Sequence, residues 1–387
     1  MTILLPTNII TYIKKQTAKG TYAYPGAADA IPDLEVSGSF AKIKTVEDLQ
    51  RKTDSYSIHD YFTMGFEPGT ASIKCPIRPG TYPTTSGEQL LIALFGKQTL
   101  NAIQKTATYL LRAPNDEEDY WTIAIKYDDV ITWFFDCLCH SGSMTFSSGA
   151  SVDDACTLNT EWDSLYFAIA GTSTLSEDAA LGATQIKVAV PIRYSPNAQI
   201  KIGADNQIYT ITAVNYTTSY LSISPALAAA HTVGEQVVGY IATAAFPAGK
   251  TLWSGKGYYK EDAANIAILE GSLNIDHGTE VIYEKLNTEA PTQVLRAGKR
   301  NVTMTTNRLA TTDNSEFLLY PFLLKDQTIV VQWGGTAAPY VQADIPIARC
   351  MSSSYDIGTF SGIRLPVEYR ALANFGNDEL SLTVYME

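Results

Sequence analysis

Gly20-Thr-Tyr-Ala-Tyr-Pro-Gly-Ala-Ala-Asp-Ala-Ile-Pro-Asp-Leu-Glu-Val-Ser-Gly-Ser-Phe40 has a counterpart far along the chain, Gly255-Lys-Gly-Tyr-Tyr-Lys-Glu-Asp-Ala-Ala-Asn-Ile-Ala-Ile-Leu-Glu-Gly-Ser-Leu273. Both read Gly, Tyr, an Ala-rich turn, Ile, Leu-Glu, then Gly-Ser and an apolar residue. An internal repeat is weighed first because it defines the folding unit. Three further matches follow in the same order. Thr70 to Ile77 and the apolar run around Leu90 match Arg300 to Thr306 and the run around Phe317. Val130 to Cys139 matches Ala343 to Met351. Trp162 to Ala168 matches Leu365 to Ala371. Four matches in one order predict a duplicated domain.

The repeated segments read as sheet. Ala71 to Ile77, Tyr120 to Lys126 and Thr328 to Trp333 are short, β-branched or aromatic, and many such runs are bounded by turn residues. Helices are predicted only at Gly87 to Phe95, with Ser86 as N-cap, and at Asn314 to Phe322, stopped by Pro321. Between the copies, Gln185 to Val190, Gln207 to Val214 and Tyr220 to Ser224 keep their own strand–turn rhythm. The expected fold is mainly β. Residues 1–175 and 243–387 form two tandem β-sandwich or barrel lobes with short flanking helices. Residues 176–242 form a small inserted all-β domain, extrinsic to the lobes, whose removal would spare them.

The chain has 387 residues, 45% apolar and 18% charged, with a net charge of −12. That is enough apolar content for a core and too little cationic surface for tight binding of nucleic acid phosphates. The net charge divides as −7, −1 and −4 over the first lobe, the insert and the second lobe. Acidity therefore belongs to the lobes. No run of about 18 apolar residues is present, so no transmembrane helix is expected. The apolar stretch of Met1 to Lys15 precedes its lysines, the reverse of a secretory leader. Cys75, Cys137, Cys139, Cys156 and Cys350 are odd in number and scattered, which predicts buried free thiols in a reducing compartment.

Motifs for chemistry are fragmentary. Gly249-Lys250-Thr251 ends like a phosphate loop, but Ala244 stands where the first Gly belongs, and Ser254-Gly-Lys256 is followed by Gly257. Cys137, Cys139 and His140 are too few for a closed zinc site, and alternation puts both cysteines on one face of a strand. His59, His140, His231 and His277 lie in no catalytic motif. Asn115 to Asp119 and Asp128-Asp129 lack the glycine of a calcium loop and read as solvated strand ends. No catalytic, cofactor-binding or metal site is predicted, and the chain is not expected to be an enzyme.

Ala71-Ser-Ile-Lys-Cys-Pro-Ile-Arg-Pro-Gly80, followed by Gly87-Glu-Gln-Leu-Leu-Ile-Ala-Leu-Phe-Gly96, resembles the strand, Arg-Pro-Gly turn and helix of tailed-bacteriophage tail tube proteins. Gly38-Ser-Phe40 and Gly271-Ser-Leu273 are similar to that family's strand openings. The resemblance spans most of 20–170 and, more faintly, 255–387. It implies a structural virion subunit, assembled in the host cytoplasm, whose units form rings that stack into a hollow conduit for viral DNA. Two tube folds per chain imply rings of three chains, or six if one lobe is degenerate. The tail terminator, tape measure and baseplate proteins are the partners it implies. An insert that must stay out of the lumen implies a long, non-contractile tail decorated on its outside. The alternatives are another virion structural protein (a tail terminator, baseplate or decoration protein) or a β-rich surface adhesin.

Overall fold

The structure, a computed structural model, describes residues 9–32, 35–39, 43–47, 61–66, 68–113, 116–148, 155–282, 292–296, 298–309, 317–354, 356–357, 363–374, 376 and 378–387. The protein is mainly β. Among the described residues, eighteen strands share one hydrogen-bonded sheet and six make a second.

The first part contains β1 (Ile9–Lys15), β2 (Ala30–Ile31), β3 (Glu35–Ser39), a hairpin of β4 (Ile43–Glu47) and β5 (Tyr61–Phe66), and β6 (Gly69–Pro76). A small ladder of β7 (Arg78–Pro79) and β8 (Thr85–Ser86) leads into α1 (Glu88–Phe95). Then come β9 (Gly96–Asn101), β10 (Thr106–Leu111), β11 (Trp121–Tyr127), β12 (Val130–Ser147) and β13 (Thr157–Ala170). Pairing runs β3–β6–β13–β12–β11–β1–β2, antiparallel throughout.

The second sheet holds β14 (Thr172–Thr174), β15 (Gln185–Lys187), β16 (Gln199–Ile202), β17 (Tyr209–Asn215), β18 (Tyr220–Ser224) and β19 (Gln236–Gly239), in the order β14-β19-β16-β17-β18-β15. The last part contains β20 (Tyr258–Glu261), β21 (Ala264–Asn265), β22 (Glu270–Asp276), a hairpin of β23 (Thr279–Ile282) and β24 (Gln293–Arg296), β25 (Asn301–Leu309), α2 (Tyr320–Leu323), β26 (Asp326–Trp333), β27 (Tyr340–Ser353), β28 (Asp356–Ile357), β29 (Ile363–Ala371) and β30 (Ser381–Tyr385). Here pairing runs β22–β25–β29–β27–β26–β20–β21. This is the order of the first part, strand for strand, with β23–β24 in the place of β4–β5.

The bulges repeat too. The β12–β13 ladder slips between Cys139 and Ser141, and β27–β29 slips between Cys350 and Ser352. The β11–β12 ladder slips between Trp121 and Ile123, and β26–β27 between Gln327 and Ile329. A bulge leaves one residue unpaired and bends its strand, so matched bulges fix the correspondence residue by residue. Cys139, Ser141 and Glu161 stand where Cys350, Ser352 and Glu368 stand. Ser141 Oγ lies 3.4 Å from Glu161, and Ser352 Oγ lies 3.2 Å from Glu368. This register corrects two sequence matches. Trp162 corresponds to Tyr369, not Leu365. The Leu-Glu pairs coincide, but Gly38 corresponds to Leu273, so the two Gly-Ser pairs do not. Short motifs slide easily because a shift by two keeps each side chain on its face.

The helices differ from expectation in their ends. Gly87, not Ser86, caps α1, with φ 80°, while Ser86 is buried. Gly96 at φ 95° closes the helix by donating to Ile92 O, a left-handed cap that glycine adopts without a Cβ penalty. Leu90, Leu91, Leu94 and Phe95 of α1 are buried in the core. Pro321 sits in the opening turn of α2 and does not stop it. Residues 314–316 of the expected helix lie outside the described residues.

The main core lies inside a fold-back of β12. A Cβ added to Gly38 of β3 would come 2.9 Å from the Phe134 ring, so β3 packs across from the first half of β12. Phe134, Ile123 and Ile125 on one side and Ile73, Leu158 and Trp162 on the other share this cluster. The second sheet has no core of its own. Leu175, Ile186, Ile200, Tyr209, Leu221 and Val237 form one cluster with Tyr12, Ala124, Ile131, Trp133, Phe135 and Ala168. The stretch 176–242 is therefore not extrinsic. Apolar residues on both faces of β11–β12–β13 require a cover on each side. Deleting 176–242 behind a Gly/Ser bridge strips the cover from Trp133 and Ile131, 0% and 1% exposed. At about 1.5–3 kcal/mol per large side chain, the loss is several kcal/mol. Urea denaturation of the deletion variant checks this; an unchanged midpoint refutes the shared core.

Candidate assembly interface

At 18 residues, β12 is long enough to pair with different strands along its two halves. Its first half pairs with β11 at Val130 to Cys137. Beyond the bulge at His140 it changes partner and pairs with β22, from Ser141↔Asp276 to Ser147↔Glu270. The two copies are thereby fused edge to edge. Eight strands form one wall, β3-β6-β13-β12 followed by β22-β25-β29-β27.

The pleat decides which side chains leave the core. Rungs of directly paired residues cross the wall: Ser37, Ser72, Glu161, Ser141, Asp276, Asn301 in one, and Glu35, Lys74, Asn159, Ser143, Asn274, Thr303, Arg370 in another. A third reads Thr145, Ser272, Thr305, Glu368, Ser352. This face is polar, built of short hydroxyl and amide side chains. On it Glu35, Glu161, Asp163, Glu270, Asp276 and Glu368 outnumber Lys74, Arg349, Arg364 and Arg370. Shallow hollows of about 420 and 530 Å³ lie along it, lined by Thr145, Glu270 and Thr305 and by Glu35, Ser72 and Asn159. None of these is a deep, convergent pocket.

The seam is locked from above by β23–β24. Val281 and Val294 pack on Leu138 and Leu165. Arg296 donates to Ala93 O at 3.3 Å and to Cys139 O at 3.0 Å. Arg300 donates to Arg112 O at 2.8 Å and pairs with Glu379. His277 Nε2 donates to Leu94 O at 2.7 Å, at the end of α1. Burial, with Arg296 nearby, holds His277 down at a pKa of about 2. It therefore stays neutral in the fold.

The residues singled out in the sequence fall as follows. All five cysteines are buried and none is in a disulfide. Cys137 and Cys139 face the core together, and burial pushes the Cys139 thiol up to about 12. His140 turns the other way: burial works to lower its pKa, but Asp163 at 3.2 Å and Glu161 at 3.3 Å raise it. The three side chains are not brought together. His231 is buried, with Nδ1 2.8 Å from Glu235. His59 lies outside the described residues, as does Asn115. Asp119 pairs with Lys15 at 2.7 Å and with Arg112. Asp128 turns the β11–β12 connection at φ 54°. Lys250 pairs with Glu387, and Ser254–Lys256 is a single 3-10 turn. Among the described residues, no group of three His, Cys, Asp or Glu is placed to hold a metal. Sequence reading missed the ion pair of Arg308 and Glu261, 0% and 3% exposed, which Tyr369 and Thr306 also join. Its counterpart in the first copy is Cys75, so the repeat carried no signal for it.

The neutral His277 makes the seam acid-sensitive. Its folded pKa lies below the unfolded value of about 6.5, so the unfolded chain takes up a proton that the fold refuses. Its contribution is intact above about pH 6.5 and is lost progressively as pH falls toward 2. Between pH 7 and 5.5 the native chain loses roughly 1.2 kcal/mol through this group. Urea melts of His277→Gln at both pH values check this: the pH-dependent loss shrinks by that amount, and an unchanged loss refutes it.

No protein-family model matches the chain, and no curated protein matches it.

Proposed function

We propose that the chain is the structural subunit of a phage tail tube, self-assembling into stacked rings around a DNA conduit. The observation that carries this is the wall: two four-stranded copies already joined edge to edge, with a polar, net acidic face away from the core. Open edges on such a wall are templates for pairing with another chain, and a closed ring pairs them all.

Geometry favours three chains per ring. Eight wall strands per chain give about 24, and at ~4.8 Å spacing and ~40° tilt they close a circle roughly 50 Å across. Side chains reduce this to a lumen of about 40 Å, wide enough for a hydrated duplex of about 20 Å. Six chains double the circle to about 100 Å, far wider than the cargo requires. Carboxylates outnumber the cations on the inner face, so on balance it repels phosphate. The fold-back of β12 encloses the core, so the face under the second sheet looks away from the wall face. The second sheet then decorates the outside, where it obstructs a contractile sheath. Terminator, tape measure and baseplate proteins are the partners of such a tube.

Negative-stain microscopy of the purified chain tests the reading. Hollow tubes or rings are expected; a protein that stays monomeric at high concentration overturns it. A triple variant, Glu161→Lys, Glu270→Lys and Glu368→Lys, is expected to assemble and to retain duplex DNA in low salt, with retention lost as salt rises. Native tubes retain none. DNA retention by native tubes removes the role given to the acidic face.

A further inference from the structure

The internal seam has two halves, and the repeat leaves one unmatched set of each at the ends of the chain. In the first copy, the outer edge of β12 beyond its bulge is covered by β22. In the second copy the same edge is Ser352 to Ser354 and Asp356, and nothing among the described residues pairs with it on that side. Met351, Ser352, Ser354 and Asp356 are exposed there, whereas the corresponding His140, Ser141 and Ser143 are partly covered. At the other end β3, the counterpart of β22, pairs with β6 alone among the described strands. The same asymmetry holds at the helices. The end of α1 lies under His277 and Arg296, which flank β23–β24. The end of α2 lies bare, with Leu319, Phe322, Leu323 and Leu324 at 58%, 84%, 67% and 61% exposure.

We propose that a second copy of this chain repeats the internal seam between molecules: its β3 edge pairs antiparallel with the outer edge of β27–β28, and its β4–β5 hairpin covers the apolar end of α2. This rests on the reading of the chain as a ring subunit and assigns the surface that closes the ring. The register follows from the matched bulges. Ser143 pairs with Asn274 within the chain. Ser354 holds the place of Ser143, and Ser39 that of Asn274, so Ser354 meets Ser39 of the next copy and Asp356 meets its Ser37. The contact is head to tail, which either closes a ring or propagates without end. A bare sheet edge beside an apolar patch is a surface that folding alone leaves unfinished.

The test is a disulfide across the proposed contact. Directly opposed strand residues hold their Cβ atoms about 4.5–5.5 Å apart, close enough to bridge with a small adjustment. The variant Ser39→Cys/Ser354→Cys, oxidised after assembly, should give a non-reducing ladder that ends at three chains. Each single variant should remain at one chain, because the native thiols are buried. The out-of-register pair Ser37→Cys/Ser354→Cys should cross-link far less. A second variant, Phe322→Asp/Leu323→Asp, alters side chains already in water and so folds normally by circular dichroism. It should raise the concentration needed for assembly by about tenfold or more. Rings that form without the Ser39–Ser354 cross-link overturn this contact and leave the tube reading standing. A cross-linked trimer that never stacks upholds the contact and defeats the tube. Neither rings nor cross-links defeats both.

Discussion

The constraint on which everything else depends is the unpaired strand edge. Backbone N–H and C=O groups at an edge need a partner, and a wall of antiparallel strands always has two edges. The chain removes one pair of edges internally by setting β22 against β12. Each wall strand is thereby paired on both sides except at the two ends. The bulge at His140 makes this arrangement work, since it frees the second half of β12 from β11 and turns it toward the other copy.

The two faces of the wall divide the remaining tasks. Toward the core, Leu273, Ile275, Met304, Leu365 and Val367 pack with their neighbours. Away from it, serine, threonine and asparagine keep side chains short and neutral, and carboxylates set the sign of the field. The hollows along this face are shallow and open, lined by Thr145, Glu270 and Thr305 and by Glu35, Ser72 and Asn159. In the proposed tube about 10 Å of water separates this face from the duplex, close to the Debye length of about 8 Å, so carboxylate repulsion is screened but still felt.

The two copies have diverged most where they are covered differently. The first copy carries a full helix, α1, held by the hairpin of the second, and an apolar core at Cys75 and Trp162. The second replaces these two with Arg308 and Tyr369 and buries an ion pair with Glu261. A buried pair stabilises little by itself, but loss of either partner leaves an uncompensated charge, about 3–5 kcal/mol. Copy identity is thus enforced by chemistry that the repeat does not share. The second sheet adds a further difference, since only the first copy bears it.

By itself the sequence determined the mainly β class, the duplication, the position of α1 and the burial of the cysteines. These are written in local periodicity and in motifs that recur in one order, and such signals survive without three-dimensional information. It left unread the register of the repeat, the shared core under the second sheet and the ion pair of Arg308. Trp133 and Phe135 look like any buried strand residues until the strand that covers them is known. Likewise the sequence showed an excess of carboxylates in the lobes without showing which of them share a face. Only the tertiary structure decided that, because strand pairing joins residues more than a hundred positions apart, as in Ser143 with Asn274, and bulges reset the alternation of faces in ways no local pattern announces.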